Sequence, residues 1–237
     1  ERPEIMGQFV GCIEGMRAAC LALDYPVVSG NVSFYNETNG KGIMPTPVVG
    51  GVGLIDDLER VAFARIDRPG LALLLIGDTA GHLGSSLYRR EIGGREDGPP
   101  PAVDLAAERR NGDLVRSLIA DYGVRCCHDL SDGGLLIAAA EMALAGDCGA
   151  RIDVPAAFAK RPHAFLFGED QARYLIAVDR AMMDRIERLA ASAIVKCARI
   201  GETGGAALTV TGLPAISLSD LRAAHEGWLP GYMAGQR

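Results

Sequence analysis

Several features that mark other classes of protein are scarce in this sequence. Its 237 residues include one tryptophan and 5% aromatic residues, and the formal net charge at pH 7 is −6. Lysine and arginine never cluster in more than a pair, so the basic face that nucleic-acid phosphates require is missing. We therefore expect no nucleic-acid partner, whereas a small anionic substrate is compatible with this composition.

Long apolar runs are also lacking. No run approaches the roughly 20 residues that a membrane-spanning helix needs. The first residues do not form a basic segment followed by an apolar core, which is the pattern of a secretory signal. We therefore expect a soluble, cytoplasmic protein with no membrane partner.

The reactive side chains show no spacing that is typical of a catalytic or zinc site. The six cysteines include no C-x-x-C pair, and the four histidines are scattered along the chain. We expect reduced, mostly buried thiols and no zinc. A G-x-S-x-G elbow is also absent, so the sequence predicts no nucleophilic catalytic group.

What the sequence does contain is an alternation of helix-like and strand-like segments. With 49% hydrophobic and 23% charged residues, it predicts a globular, mixed α/β layer structure. An amphipathic helix is expected at 4–23, and the turn-forming stretch 67–70 is the predicted domain boundary. Further helices are expected at 103–123, 133–146 and 182–193, and strands around 27–28 and at 46–55, 60–66, 71–78, 124–130, 150–154, 173–178 and 196–201.

The loop Val27–Gly50 concentrates small and polar residues between two apolar runs. Gly30 permits close backbone approach to a phosphate, and the side-chain oxygen of Asn31 suits a hard cation such as Mg²⁺. The hydroxyl of Ser33 could donate to a phosphate oxygen. The alternative interpretation is a polar hairpin turn.

Three more loops lie directly before or after predicted strands. Loops in these positions often form the ligand sites of α/β folds. Residues 77–86 either bind an anion at a helix N-terminus or simply cap that helix. Residues 127–136 either cap a helix with Asp129 and Asp132 or hold Mg²⁺. Glu169 and Asp170 stand either in a binding loop or at a solvated strand edge. These residues alone predict a phosphate- or metal-binding α/β protein.

Four segments together resemble the C-terminal part of the phosphoribosylformylglycinamidine synthase family, in the small-type synthetase subunit. The stretch "VSGNVSFYNET" is the most specific of the motifs that carry the resemblance. The resemblance extends over essentially the whole chain through the segments Pro3–Thr38, Gly42–Asp57, Cys127–Leu144 and Phe167–Val178.

The resemblance implies a domain arrangement and an activity. Residues 1–68 would be part of an aminoimidazole ribonucleotide synthetase-type N-terminal domain, and residues 69–237 a complete C-terminal-type domain, both in the second of two pseudo-symmetric halves. Such enzymes use ATP and Mg²⁺ to activate formylglycinamide ribonucleotide for attack by ammonia, in de novo purine biosynthesis. The implied partners are a glutaminase subunit, a small accessory subunit and the missing first half of the same chain.

The resemblance also assigns roles to three residues. Gly30 would contact ATP through its backbone, Asn31 would ligate Mg²⁺ and Ser33 would contact the substrate. It assigns no catalytic residue to this fragment, which should be inactive alone. The alternatives are a non-catalytic scaffold or another ATP-using member of the same superfamily.

One segment departs from the family's pattern. Glu169, Asp170 and Gln171 stand where the family has Glu-Ser-Gln. An extra carboxylate would repel a phosphate. We therefore expect this segment, and the segment 127–134, to be structural or the remnant of a degenerate site.

Overall fold

The computed structural model describes residues 2–33 and 36–235, so Phe34 and Tyr35 of the predicted binding loop lie outside the described residues. The chain divides into two compact units, Glu1–Asp56 and Asp57–Arg237. The domain boundary expected near residue 68 stays a prediction.

The first unit consists of one helix, one small hairpin and irregular segments. Helix α1, Pro3–Leu23, confirms the predicted helix, and it ends at Asp24 in the left-handed conformation. Strand β1, Glu37–Thr38, pairs antiparallel with β2, Lys41–Gly42. Asn39 and Gly40 both have positive φ, as a tight two-residue turn requires.

The strands predicted around Val27–Val28 and at 46–55 are wrong, because neither segment has strand structure. The valines of these segments favour extended backbone, but a strand is stable only when its N–H and C=O groups pair with a neighbouring strand. Among residues 2–33 and 36–56, the only strand pairing is that between β1 and β2. Local residue preference therefore overstated the β content of this unit.

The second unit contains a seven-stranded sheet. Its strand order is β4-β6-β3-β7-β5-β8-β9, and all neighbours are antiparallel except β5 and β8. The mixed α/β fold class predicted from the sequence is confirmed. The strands are β3 (Ala72–Ile76), β4 (Cys126–Asp129), β5 (Ala150–Ile152), β6 (Tyr174–Val178), β7 (Cys197–Thr203), β8 (Ala207–Val210) and β9 (Ile216–Ser217).

Among the described residues 57–235, six α-helices accompany this sheet. They are α2 (Leu87–Glu91), α3 (Leu105–Tyr122), α4 (Gly134–Gly146), α5 (Pro162–Phe167), α6 (Met183–Ser192) and α7 (Leu218–Met233). Within the part of the chain that the structure describes, no helix is both long and apolar enough to cross a bilayer.

The sheet is buried on both faces. Leu73 and Leu75 of β3 belong to one core cluster together with residues of α4 and α5. Leu74 and Ile76 belong to a second cluster with residues of α3 and α6. Successive side chains of a strand point to opposite faces, so a central strand covered on both sides must be apolar at every position. This explains the unbroken apolar run of β3.

From residue 71 onward, all five predicted strands and all three predicted helices are confirmed, with small shifts at their ends. The strand predicted at 60–66 is wrong. Only Phe63 forms a β-bridge there, with Cys126, and its N–H donates to the Arg125 carbonyl at 2.7 Å. The rest of that segment is a 3-10 turn, Leu58–Arg60, and irregular backbone.

Candidate functional site

The three residues assigned to ligand binding lie together between α1 and β1. Gly30, Asn31 and Ser33 are all exposed, in backbone that is neither helix nor strand. The Ser33 carbonyl accepts a hydrogen bond from the side-chain amide of Asn36. The roles of these residues at ATP, Mg²⁺ and substrate stay predictions.

The ends of this loop are held together by a tyrosine. The Tyr25 hydroxyl donates to the Gly50 carbonyl at 2.9 Å. A Cβ atom at position 51 would lie 2.2 Å from the Tyr25 oxygen, so only glycine fits there without displacing the ring. Tyr25 and Gly51 therefore bring the two ends of the loop close to each other.

The described residues do not form a complete Mg²⁺ site. Among residues 2–33 and 36–235, no group of three or more His, Cys, Asp or Glu side chains could hold a metal ion. Asn31 offers one amide oxygen, whereas Mg²⁺ requires octahedral coordination by six oxygens, several of them from water. Any Mg²⁺ at Asn31 would need further ligands from elsewhere.

The carboxylates of the loop before β6 accept hydrogen bonds from backbone amides. Glu169 Oε1 accepts from the N–H groups of Leu87 and Gly133, each at 2.8 Å. Asp170 accepts from the N–H groups of Gly81, at 2.8 Å, and His82, at 3.2 Å. One loop thus satisfies amides at the start of α2, just before α4 and in the loop after β3.

Arg173 lies beneath this loop, and its side chain is fully buried. Its guanidinium donates to the Asp170 carbonyl at 3.0 Å and to the Thr79 hydroxyl at 3.2 Å, and it also donates to the Gly168 carbonyl. The Asp170 carboxylate lies 3.9 Å away. Burial lowers the pKa of Arg173, whereas Asp170 and Glu169 raise it. A buried charge is tolerated when it is paired and hydrogen-bonded, as this one is.

The side chains of Asp129 and Asp132 do not cap α4, although one interpretation of the sequence expected this. Asp129 and Asp132 are exposed, and the N-cap residue Gly133 has no side-chain cap. Glu169, from a distant loop, accepts the Gly133 N–H instead. That expectation was wrong because helix capping was sought only among neighbours in sequence.

The loop that follows β3 is shaped by local caps. Ser86 Oγ accepts from the Arg89 N–H at 3.2 Å at the start of α2, so the helix-cap interpretation is confirmed. Ser85 Oγ donates to the Gly98 carbonyl at 2.6 Å. This five-residue helix offers no further indication of an anion site.

Three of the thiols, all in the second unit, lie in environments that disfavour ionisation. Burial raises the pKa of Cys126 to about 11, of Cys127 to about 12 and of Cys197 to about 11. All six cysteines are free, two of them buried and four half-buried. A nucleophilic role needs a thiolate, so these three thiols are poor candidates for catalysis.

A comparison with known protein families shows which family the second unit matches. Residues 68–212 match the family described as AIR synthase related protein, C-terminal domain. The chain therefore belongs to this family, which confirms the C-terminal-type domain expected from the sequence.

Comparison with individual proteins is consistent with the resemblance seen in the motifs. The chain is 55% identical over 236 residues to the phosphoribosylformylglycinamidine synthase subunit PurL of a Bradyrhizobium species, and 58% identical over 234 residues to that of Methylocella silvestris. Each match covers 99% of this chain and 32% of the relative. The chain thus spans about a third of the length of these relatives.

Solved structures share the fold. Thermotoga maritima PurL complexed with FGAR matches with a TM-score of 0.58 at 18% identity, over 69% of this chain and 30% of that chain. The same protein complexed with ATP matches with a TM-score of 0.56, over 68% of this chain and 27% of that chain. At this level of identity the similarity concerns the fold alone.

Proposed function

We propose that this chain is part of an ATP-dependent phosphoribosylformylglycinamidine synthase, a C–N ligase of de novo purine biosynthesis in the cytoplasm. The observation that carries the proposal is the identity of 55–58% to PurL subunits along 99% of the chain. The family membership of residues 68–212 supports it independently. The proposed role concerns a larger protein, to which this chain contributes one region.

The proposed reaction joins ammonia to formylglycinamide ribonucleotide. The γ-phosphoryl group of ATP passes to the amide oxygen of the substrate, and ADP is released. Ammonia then adds to the activated carbon, and inorganic phosphate leaves with the former amide oxygen to give the amidine. Negative charge develops on phosphoryl oxygens during the transfer, so fixed hydrogen-bond donors at those oxygens are the main protein contribution.

The loop 30–33 is the contribution of this chain to that site. The Gly30 backbone would contact ATP, Asn31 would supply one oxygen to Mg²⁺ and Ser33 would contact the substrate. All three are exposed, as a loop that completes a site formed with other residues must be. The bound Mg²⁺ would supply positive charge for the phosphoryl oxygens. The remaining partners are a glutaminase subunit, an accessory subunit and the other half of the synthetase.

A specific observation favours an additional, non-catalytic role. The described residues of the first unit include no buried side chain. Exposed apolar residues in large numbers mark surfaces that pack against other protein. The residues 2–56 would then serve partly as a scaffold; their most exposed apolar side chains include Val28, Val48, Val52 and Leu54.

The proposal is tested on the full-length protein that contains this chain. With ammonia, ATP, Mg²⁺ and formylglycinamide ribonucleotide, we expect equal amounts of ADP, phosphate and amidine product, detected by mass spectrometry. The 237-residue chain alone should give none. Turnover by the isolated chain would show that the missing part is dispensable, and another product from the full-length protein would favour another member of the superfamily.

The role of the loop is tested by Asn31→Ala, which we expect to weaken Mg·ATP binding about tenfold or more in the full-length protein. Asn39→Gly is the matched control, because Asn39 is an exposed asparagine of the same loop and its positive φ suits glycine. Equal Mg·ATP affinity in both variants would mean that the loop is scaffold only.

A further inference from the structure

Two of the four asparagines of the chain are followed by glycine, and their environments are opposite. Asn39 and Gly40 form the exposed turn between β1 and β2. Asn111 and Gly112 lie inside helix α3, and Asn111 is 4% exposed. An asparagine before a glycine is prone to lose its side-chain amide, because glycine has no side chain that hinders attack by its own backbone nitrogen. The same reactive pair thus occurs once at the surface and once in a buried helix turn.

The Asn39–Gly40 turn leaves the reacting groups accessible. A Cβ atom at position 40 would have no heavy atom within 4 Å apart from its chain neighbours. Within residues 2–33 and 36–235, neither the Gly40 N–H nor the Asn39 side-chain amide makes a hydrogen bond. Attack requires rotation of the backbone between the two residues, so the turn must open first. Each strand of this hairpin has only two residues, and so short a hairpin opens at low cost.

The Asn111–Gly112 pair is held in place on both sides. The Asn111 side chain donates from Nδ2 to the Ala172 carbonyl at 2.8 Å. Gly112 lies in the interior of α3, where helix geometry directs its N–H to the carbonyl four residues earlier. Leu114 and Leu118 of the same helix belong to a core cluster, so reaction at this pair would require part of the core to open. This pair is therefore an internal reference for the exposed one.

We infer that Asn39 is a site of spontaneous deamidation. The Gly40 backbone nitrogen attacks Cγ of Asn39 and forms a C–N bond, and ammonia leaves with the proton that this nitrogen carried. The product is a cyclic succinimide. Water then adds to one of the two ring carbonyl carbons, where its hydroxyl stays, and its proton returns to the Gly40 nitrogen. Opening at Cγ gives aspartate, and opening at the backbone carbonyl gives isoaspartate.

The two products change the hairpin differently. Aspartate keeps the original backbone and adds one negative charge, and it is a residue that tight hairpin turns accept. Isoaspartate leads the main chain through Cβ and Cγ, so the turn gains an additional backbone atom. The length of the turn fixes the register of a hairpin. The pairing of Thr38 with Lys41 should therefore be lost in the isoaspartate form.

Peptide mapping by mass spectrometry tests the inference on the intact protein, kept at mildly alkaline pH in native buffer and in denaturing urea. In native buffer we expect Asn39 to react about tenfold or more faster than Asn111, because only the turn opens readily. In urea, where both pairs are unfolded, the two rates should agree within about twofold. Equal rates in native buffer, or no reaction at Asn39 there, would overturn the inference.

Two variants separate the chemistry from its effect on the hairpin. Asn39→Gly removes the side-chain amide and suits the positive φ, so no modification at this position is expected. Freshly prepared Asn39→Asp carries the new charge on an unchanged backbone. Hydrogen exchange at Ile43, whose N–H donates to the Asn36 carbonyl at 3.1 Å, should be faster in aged parent protein and unchanged in both variants. Unchanged exchange at Ile43 in parent protein that contains isoaspartate would contradict the predicted loss of pairing.

Discussion

Residues 2–56 and 57–235 use the same kinds of apolar side chain in opposite ways. In the second region, leucines, isoleucines and valines form two clusters on the faces of one sheet. In the first region, the described residues include helix α1 and a hairpin but no buried side chain. Helix α1 therefore follows the apolar periodicity of its sequence, although none of its side chains is buried.

The polar side chains of the two regions also differ in their environment. In the second region, buried or half-buried polar groups such as Glu169, Asp170 and Arg173 satisfy backbone amides and carbonyls. In the first region, Gly30, Asn31 and Ser33 are exposed. We conclude that the second region carries the stability of the chain and that the first region carries its proposed contacts with ATP and substrate.

The largest expected effect concerns the buried carboxylate network. Asp170→Ala removes the acceptor of two backbone amides and leaves Arg173 as a buried charge without its carboxylate. We expect a loss of about 3–5 kcal/mol in the free energy of unfolding, measured by urea denaturation. Glu37→Ala, which removes an exposed carboxylate of the first region, should change it by less than about 0.5 kcal/mol. Similar losses in both variants would remove the distinction between the regions.

The next effect concerns leucines of the two regions. Leu74 is 0% exposed in the central strand, whereas Leu54 is 89% exposed. Leu74→Ala should lower the free energy of unfolding by about 2–5 kcal/mol, because it removes apolar contacts and leaves a cavity. Leu54→Ala should lie within about 0.5 kcal/mol of the parent. A large loss in Leu54→Ala would mean that residues 2–56 bury apolar surface in solution.

A smaller effect is expected at alkaline pH. Burial raises the pKa of Cys127 to about 12, whereas an unfolded thiol titrates near about 8.5. The unfolded chain therefore releases this proton first. The stability that Cys127 contributes is complete below about pH 8.5 and is lost as pH rises towards about 12.

Cys127→Ala should reduce the dependence of unfolding free energy on pH above about 8.5, by up to about 1.4 kcal/mol per pH unit. The measurement is a series of urea denaturations across that range. Cys12→Ala, in the first region, is the comparison, since Cys12 lies half-buried on α1. An unchanged dependence of the free energy of unfolding on pH in Cys127→Ala would show that the Cys127 thiol is exposed to water.

The smallest effect concerns the closure of the predicted binding loop. Tyr25→Phe removes the hydrogen bond to the Gly50 carbonyl, which is exposed to solvent. We expect a change of about 0.5 kcal/mol or less in unfolding free energy, because water replaces the lost partner. Faster hydrogen exchange confined to residues near Gly50 would support the contact, and a global loss of protection would contradict its local character.

The sequence predicted the second region better than the first for a physical reason. The strands and helices from 71 to 201 have both the local residue preference and the partners that bury them, so pattern and structure agree. The valine-rich segments of the first region have the preference without the partners. The residue pattern of a segment does not show whether a neighbouring strand is present to pair with it.

The prediction of the candidate site from the sequence was limited in the same way. Gly30, Asn31 and Ser33 were found by motif, and the structure confirms only their proximity in one exposed loop. Asn111 and Arg173 were missed, because their importance depends on burial and on contacts with residues distant in sequence. The link between Glu169 and Gly133 was missed for the same reason. The spacing of residues along the chain does not reveal contacts between residues that are distant in sequence.

One paired measurement tests whether the first region provides contacts with ATP and substrate while the second region provides the stability of the chain. Turnover per folded molecule and melting temperature are compared in the full-length protein for Asn31→Ala and Leu74→Ala. We predict that Asn31→Ala lowers turnover and leaves the melting temperature unchanged, and that Leu74→Ala lowers the melting temperature by several degrees and leaves turnover unchanged. Full turnover in Asn31→Ala, or an equal fall of both quantities in each variant, would show that the two regions do not divide binding and stability in this way.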